Sequence, residues 1–384
     1  MDGDGALTCG RWLRRPENLN LVVLAKSSSR RRSSSSAATK STIEIFSYDS
    51  VTASLSSSPL VWSVIEDGEA VSIAAHPSGD EFVCSTSSGD CLLFKLSDQE
   101  TDVKLLSEVL PSLQGVGVQK CIAFSIDGSR LATGGVDGHL RIFEWPGMRV
   151  VLDEPRAHKS FRDMDFSLDS AFLASTSTDG TARIWNASEG VPVTNLRRNS
   201  DEQIELCCFS QDGTRPFLFC TMQKGDKALT GVWDMSTWDK IGHKKLLKKP
   251  ASAISTSIDG KYLALGSRDG DLSVVEVKKM EFRHYSRRLH PGTPIASLEF
   301  CPSERVVLTT SSQWGPIVTK LTVPKDWKEW QLYALLAALF LGSAILFYMF
   351  FLLSDSFWNP PGPKIKTFIP DSQTTEDVFG PLDL

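Results

Sequence analysis

The stretch from Cys121 to Trp145 reads CIAFSIDGSRLATGGVDGHLRIFEW, and its punctuation decides the fold. Three strand-like runs, CIAF, RLATGG and LRIFEW, are separated by two short turns that each contain Asp-Gly. Alternate residues of a strand face opposite sides of its sheet, and glycine supplies the positive φ that a tight hairpin needs. The unit recurs from Met164 to Ala187 as MDFSLDSAFLASTSTDGTARIWNA, and again from Val71, Leu206, Ile254 and Leu298. Its first turns fall at Gly79, Gly128, Ser170, Gly213, Gly260 and Glu304, roughly 42 to 49 residues apart, the period of WD-type propeller blades.

A single blade buries neither face, and closing the blades into a ring covers both. The hairpin formed by LNLVVLA (Leu19 to Ala25) and TIEIFSYD (Thr42 to Asp49) adds to the six units, so the sequence predicts an all-β, WD-type propeller over residues 1–325 with six or seven blades, seven being preferred. A two-sheet sandwich would not repeat an internal motif at this period. Trp145 and Trp185 close strands of the two clearest units and are expected in the core.

Beyond the repeats lies the uncharged run LYALLAALFLGSAILFYMFFLL, Leu332 to Leu353. As a helix rising about 1.5 Å per residue it reaches roughly 33 Å, which spans a bilayer once. Trp327, Trp330 and Tyr333 on one side and Phe357 and Trp358 on the other suit the two interfaces. The first twenty residues hold no apolar core of signal-peptide length, so the propeller is expected in the cytosol and the tail 354–384 in the lumen. The eight cysteines show no CxxC pair and are expected as reduced core thiols. On this topology Asn186, in an Asn-Ala-Ser sequon, stays unmodified.

A formal net charge of −5 offers no general basic face for a phosphate backbone, so nucleic acid is not an expected partner. The six histidines are scattered over different repeats without zinc-site spacing, and His139 and His158 suit structural or polar-loop positions. Asp127, Asp169, Asp212 and Asp259 recur at equivalent places, each inside its own turn, where a carboxylate accepts backbone N–H bonds without any ligand. There is no GxSxG elbow, no GxxxxGK[ST] loop and no GxGxxG. The expectation is therefore no catalytic residue, no cofactor, no metal, and no enzyme. Residues 26–40, KSSSRRRSSSSAATK, cannot pack a core and read as a mobile basic loop, open to docking, phosphorylation at Ser33 to Ser36 or lipid contact.

A propeller followed by one C-terminal span resembles the Sec-twelve family, endoplasmic reticulum proteins that load GTP onto the Sar GTPase and so start COPII coats. Within it, LDEPRAHKSFRDMDFSLDSAFLASTSTDGTARIW (Leu152 to Trp185), IASLEFCPSERVVLTTSSQWG (Ile295 to Gly315) and TKLTVPKDWKEWQLYALL (Thr319 to Leu336) resemble the plant phosphate transporter traffic facilitators. CGRWLRRPENLNLVVLAK and SDSFW, Ser354 to Trp358, are similar to the same group. In the exchange factors the N-terminal hairpin carries a glycine-rich loop that holds a potassium ion and presses on the nucleotide site. Here no glycine lies between Gly10 and Gly68, and the equivalent stretch is rich in serine and arginine. The resemblance thus implies an endoplasmic reticulum membrane protein that helps phosphate transporters leave, with exchange activity lost. Its alternative is an active exchange factor with the Sar GTPase or COPII components as partners.

Overall fold

Among the described residues, five of the sheets have four strands, of which the inner three are largely buried and the last is mainly exposed. In blade 4, Phe161–Phe166 and Phe172–Ser177 are largely buried, Ala182–Asn186 is mostly so, and Val191–Asn195 is mainly exposed. Such a gradient is what a sheet shows when it stands edge-on to a central axis with neighbours against both faces.

The computed structural model describes residues 5–15, 20–28, 40–99, 102–214, 216–225, 227–323, 329–358 and 362. Among them seven antiparallel sheets form a seven-bladed propeller, as the repeat predicts. Blade 1 is built from Gly5–Arg14, Asn20–Ser28, Ser41–Asp49 and Val61–Ile65, with the short Ser54–Leu55 at its edge. The inner strands of the next blades are Ala70–Ala75, Gln119–Phe124, Phe161–Phe166, Glu202–Phe209, Ala251–Thr256 and Ser297–Phe300. One face, here the upper, carries the connections between blades and those between second and third strands. The lower face carries the first-to-second and third-to-fourth connections.

The upper Asp-Gly turns of blades 3, 4 and 6 tie those blades to the chain entering the next, through His158 N–H on Gly138 O, Ile204 N–H on Gly180 O and His290 N–H on Gly270 O. Gly138 (φ +83) and Gly270 (φ +81) lie against the carbonyls of His158 and His290, and a Cβ there would come within 1.8 Å of those oxygens. Only glycine fits. His158 and His290 are themselves buried. His158 Nε2 lies 2.8 Å from Ser175 Oγ, which also accepts Trp185 Nε1–H at 2.8 Å. His290 repeats the arrangement with Thr309 and Ser311, each at 2.9 Å. Trp185 is in the core as expected. Trp145 is only half-buried, its Nε1–H reaching Glu81 Oε1 across the blade boundary at 2.7 Å.

Closure uses no shared strand among the described residues. Blade 7 has three strands, Ser297–Phe300, Val306–Ser311 and Gly315–Lys320, all from the C-terminal part of the propeller. It meets blade 1 through side chains. Gly10 N–H donates to Ser297 Oγ at 3.1 Å, Trp12 N–H to Glu299 Oε2 at 2.8 Å, and Tyr48 OH to Glu304 Oε2 at 3.1 Å. The Trp12 ring stands edge-on to Tyr48 at 5.2 Å. All eight cysteines are buried and unpaired.

The chain divides into two units, Met1–Val323 and Pro324–Leu384. The second contains the helix Glu329–Trp358, whose stretch Trp330–Leu353 is apolar, unburied and long enough to cross a membrane. The expected span 332–353 lies inside it.

Candidate functional site

The inner strands enclose a central cavity of about 480 Å³ whose lining includes the carboxylates of Asp163, Asp165 and Glu299. Asp163 Oδ2 accepts Cys207 N–H at 3.0 Å, and Asp165 Oδ2 accepts Phe209 N–H at 2.7 Å. Glu299 serves Trp12 in the same way, while Arg11 Nε–H donates to Ile73 O at 3.1 Å. Each charged group therefore binds the inner strand of the following blade. Burial pushes Asp163 up to about 6 and Asp165 up to about 7, outweighing the backbone N–H bonds that favour ionisation. These groups stitch the ring. No set of three or more metal-ligating side chains occurs among the described residues.

The other titratable candidates are also engaged. Asp127 accepts Ser129 N–H at 3.1 Å, Asp169 accepts Ala171 N–H at 3.1 Å, Asp212 accepts Thr214 N–H at 2.9 Å, and Asp259 accepts Lys261 N–H at 3.1 Å. Partial burial raises Asp127, but hydrogen bonds from Ser125 and Ser129 prevail and draw it down to about 2. Burial lowers His158 and His290 to about 4, so both rings are neutral at pH 7. His139 pairs with Asp153 nearer the surface.

What remains is an upper-face platform on blade 1, the base of the 26–40 segment. Lys26 to Ser28 continue a strand instead of starting a loop, while residues 29–39, and with them Arg30 to Arg32 and Ser33 to Ser36, lie outside the described residues. Both ends of the segment are clamped. Lys26 pairs with Glu44 and covers the Phe46 ring at 5.6 Å; Lys40 pairs with Glu66. Ser27 Oγ–H donates to Glu69 Oε1 at 2.7 Å, and Ser41 Oγ accepts Ala70 N–H at 3.2 Å, which ties the segment to the connection entering blade 2. The sequence reading missed this clamp, although Glu44 is the lone charged residue in the apolar strand core TIEIF and could have signalled it. A segment anchored at both ends can be pressed against a partner without the platform yielding.

The WD domain, G-beta repeat family matches residues 110–144 and 150–186. SEC12-like protein 1 of Arabidopsis thaliana is 58% identical over 381 residues, 97% of this chain and 95% of the relative. SEC12-like protein 2 of the same plant is 31% identical over 71% of this chain and 70% of its own length. The mouse protein named guanine nucleotide-exchange factor SEC12 is 25% identical over 53% of this chain and 52% of its own. This last match corrects the expectation of no enzyme, because exchange factors act catalytically on GTPases. The physical reason is that exchange needs no nucleophile, metal or phosphate loop in the factor itself. A surface that favours the nucleotide-free partner suffices, and a motif search cannot see it. On identity and coverage together, the chain belongs to the SEC12-like WD-repeat proteins.

Proposed function

We propose that this protein is a guanine-nucleotide exchange factor for a Sar-type GTPase at the endoplasmic reticulum membrane, acting at the start of COPII vesicle formation. The observation that carries the reading is the match to a named exchange factor over half the chain, within a propeller that precedes a membrane-length apolar helix. The blade 1 platform is the docking element. It offers a rigid base on which the 26–40 segment meets the nucleotide site, with arginines where the exchange factors of the resemblance use glycines. Its test is GDP release from a Sar-type GTPase mixed with the full chain in detergent micelles. Acceleration of at least about tenfold is expected, a difference of roughly 1.4 kcal/mol in barrier, and an unchanged rate refutes the reading.

A narrower output, export of phosphate transporters, is favoured by the strings Leu152 to Trp185 and Ile295 to Gly315. Loss of the chain is then expected to hold those transporters, and not unrelated cargo, in the endoplasmic reticulum. The reading also places the propeller in the cytosol and residues 354–384 in the lumen. Protease added to sealed microsomes should digest the first and spare the second, and a glycan on Asn186 would reverse this topology.

A further inference from the structure

On the upper face around blade 6, three connections gather cations. The chain entering the blade reads KKLLKKP, Lys244 to Pro250. Leu246 and Leu247 are buried and pin it, leaving Lys245, Lys248 and Lys249 exposed. Arg268 N–H donates to Pro250 O at 3.0 Å, joining this connection to the Asp-Gly turn of blade 6. The connection leaving the blade joins the same turn, with His290 N–H on Gly270 O at 3.1 Å and Arg288 N–H on Asp271 Oδ1 at 2.7 Å. It brings exposed Arg287 and Arg288 alongside. Arg268 is paired with Glu205, but among the described residues the side chains of the three lysines, Arg287 and Arg288 form no ion pair.

Like charges held together without partners raise the local potential and draw anionic partners. The ledge ends at Trp314, a residue 54% exposed yet held by its Nε1–H on Pro291 O at 3.0 Å. A rigid exposed tryptophan is a favourable anchor for an apolar side chain.

We propose that this ledge binds an acidic polypeptide segment that carries one apolar residue for Trp314. Asp269 and Asp271 stand among the cations. They would repel a continuous anionic surface such as lipid headgroups, but leave room for separate carboxylates. The propeller's last residues also leave by the other face. Leu321 N–H donates to Arg305 O at 2.9 Å in the lower connection of blade 7, whereas Trp314 lies in its upper one. The inference goes beyond the exchange reading, which uses the blade 1 platform.

The probe is a fluorescent 14-residue peptide in which Glu alternates with Ser or Gly around one central Leu, titrated against the full chain in uncharged micelles and read by anisotropy. Saturable binding that weakens with salt is expected. The triple variant K245E/K248E/R287E should weaken it more than tenfold at unchanged melting temperature, and the neutral K245Q/K248Q/R287Q should weaken it less. Trp314→Ala should cost several-fold, while K278E/K279E, on the lower face, should leave binding intact. Equal binding by the reversed and wild-type ledges overturns the proposal, as does an equal loss in K278E/K279E. Displacement of the peptide by phosphatidylserine vesicles would make the ledge a lipid site and overturn it too. GDP release measured on the same preparations should stay within about twofold. A joint loss would make the ledge part of the GTPase dock and refute it, whereas peptide binding without any exchange by the wild type would refute only the exchange reading.

Discussion

The junction between blades 4 and 5 and the junction between blades 7 and 1 use the same bond for different ends. In the first, Asp163 and Asp165 accept N–H groups from Cys207 and Phe209, 44 residues further along. In the second, Glu299 accepts Trp12 N–H across 287 residues. The first joins neighbours that the chain already holds together, and the second closes the ring. Because no strand is shared at that seam among the described residues, Trp12, Glu299, Ser297 and Tyr48 do by side-chain contact what a common sheet would otherwise do. A propeller can thus be closed by repeating its ordinary inter-blade bond and adding one aromatic plug.

The comparison breaks most visibly at Trp12. Replacing it with alanine removes the plug and is expected to cost about 3–5 kcal/mol, as for other buried tryptophans. Thermal melting and limited proteolysis should show blades 1 and 7 loosening first, and a loss below about 1 kcal/mol would mean that the seam is held elsewhere. The blade 4–5 junction should respond to pH instead. Burial raises Asp165 to about 7, so the folded state holds its proton more tightly than the unfolded chain. The stability this confers is complete below about pH 4 and is lost as pH rises through about 7, an effect of about 1–3 kcal/mol. Melting temperatures from pH 4 to 8 should fall for the wild type and fall less steeply for Asp165→Asn, in which Asp163, raised to about 6, still titrates. The finest test lies at Glu299. Glu299→Gln keeps an acceptor for Trp12 N–H and should cost less than about 1 kcal/mol, while Glu299→Ala leaves that buried donor unsatisfied and should cost about 1–3 kcal/mol in urea unfolding.

The three inner strands of each blade were legible because both their faces are buried and their turns spell Asp-Gly. The outer strands were not. Val191–Asn195 and Glu281–Ser286 are exposed edges whose sequences carry no alternation that packing would enforce. Gly5–Arg14 escaped as a strand because a bulge between Leu7 and Cys9 breaks the alternation in its pairing with Asn20–Ser28. At the candidate site, the sequence revealed the unusual segment 26–40 but not its clamps, since Lys26–Glu44 and Lys40–Glu66 are ordinary charges until the sheet pairs them. The absence of glycine between Gly10 and Gly68 speaks to one way of approaching a nucleotide and leaves other approaches open.

Among the described residues, blade 7 ends on Gly315–Lys320, an edge paired on one side only, through Val306–Ser311. Six residue pairs hold it, and its Lys320 end is the one continuous in sequence with the apolar helix. Tension on that helix would therefore enter the propeller at the open end of a hairpin, where pairs yield one after another instead of sharing the load. Under pulling, such a molecule would peel from its last strand inward, and that hairpin would act as its mechanical fuse.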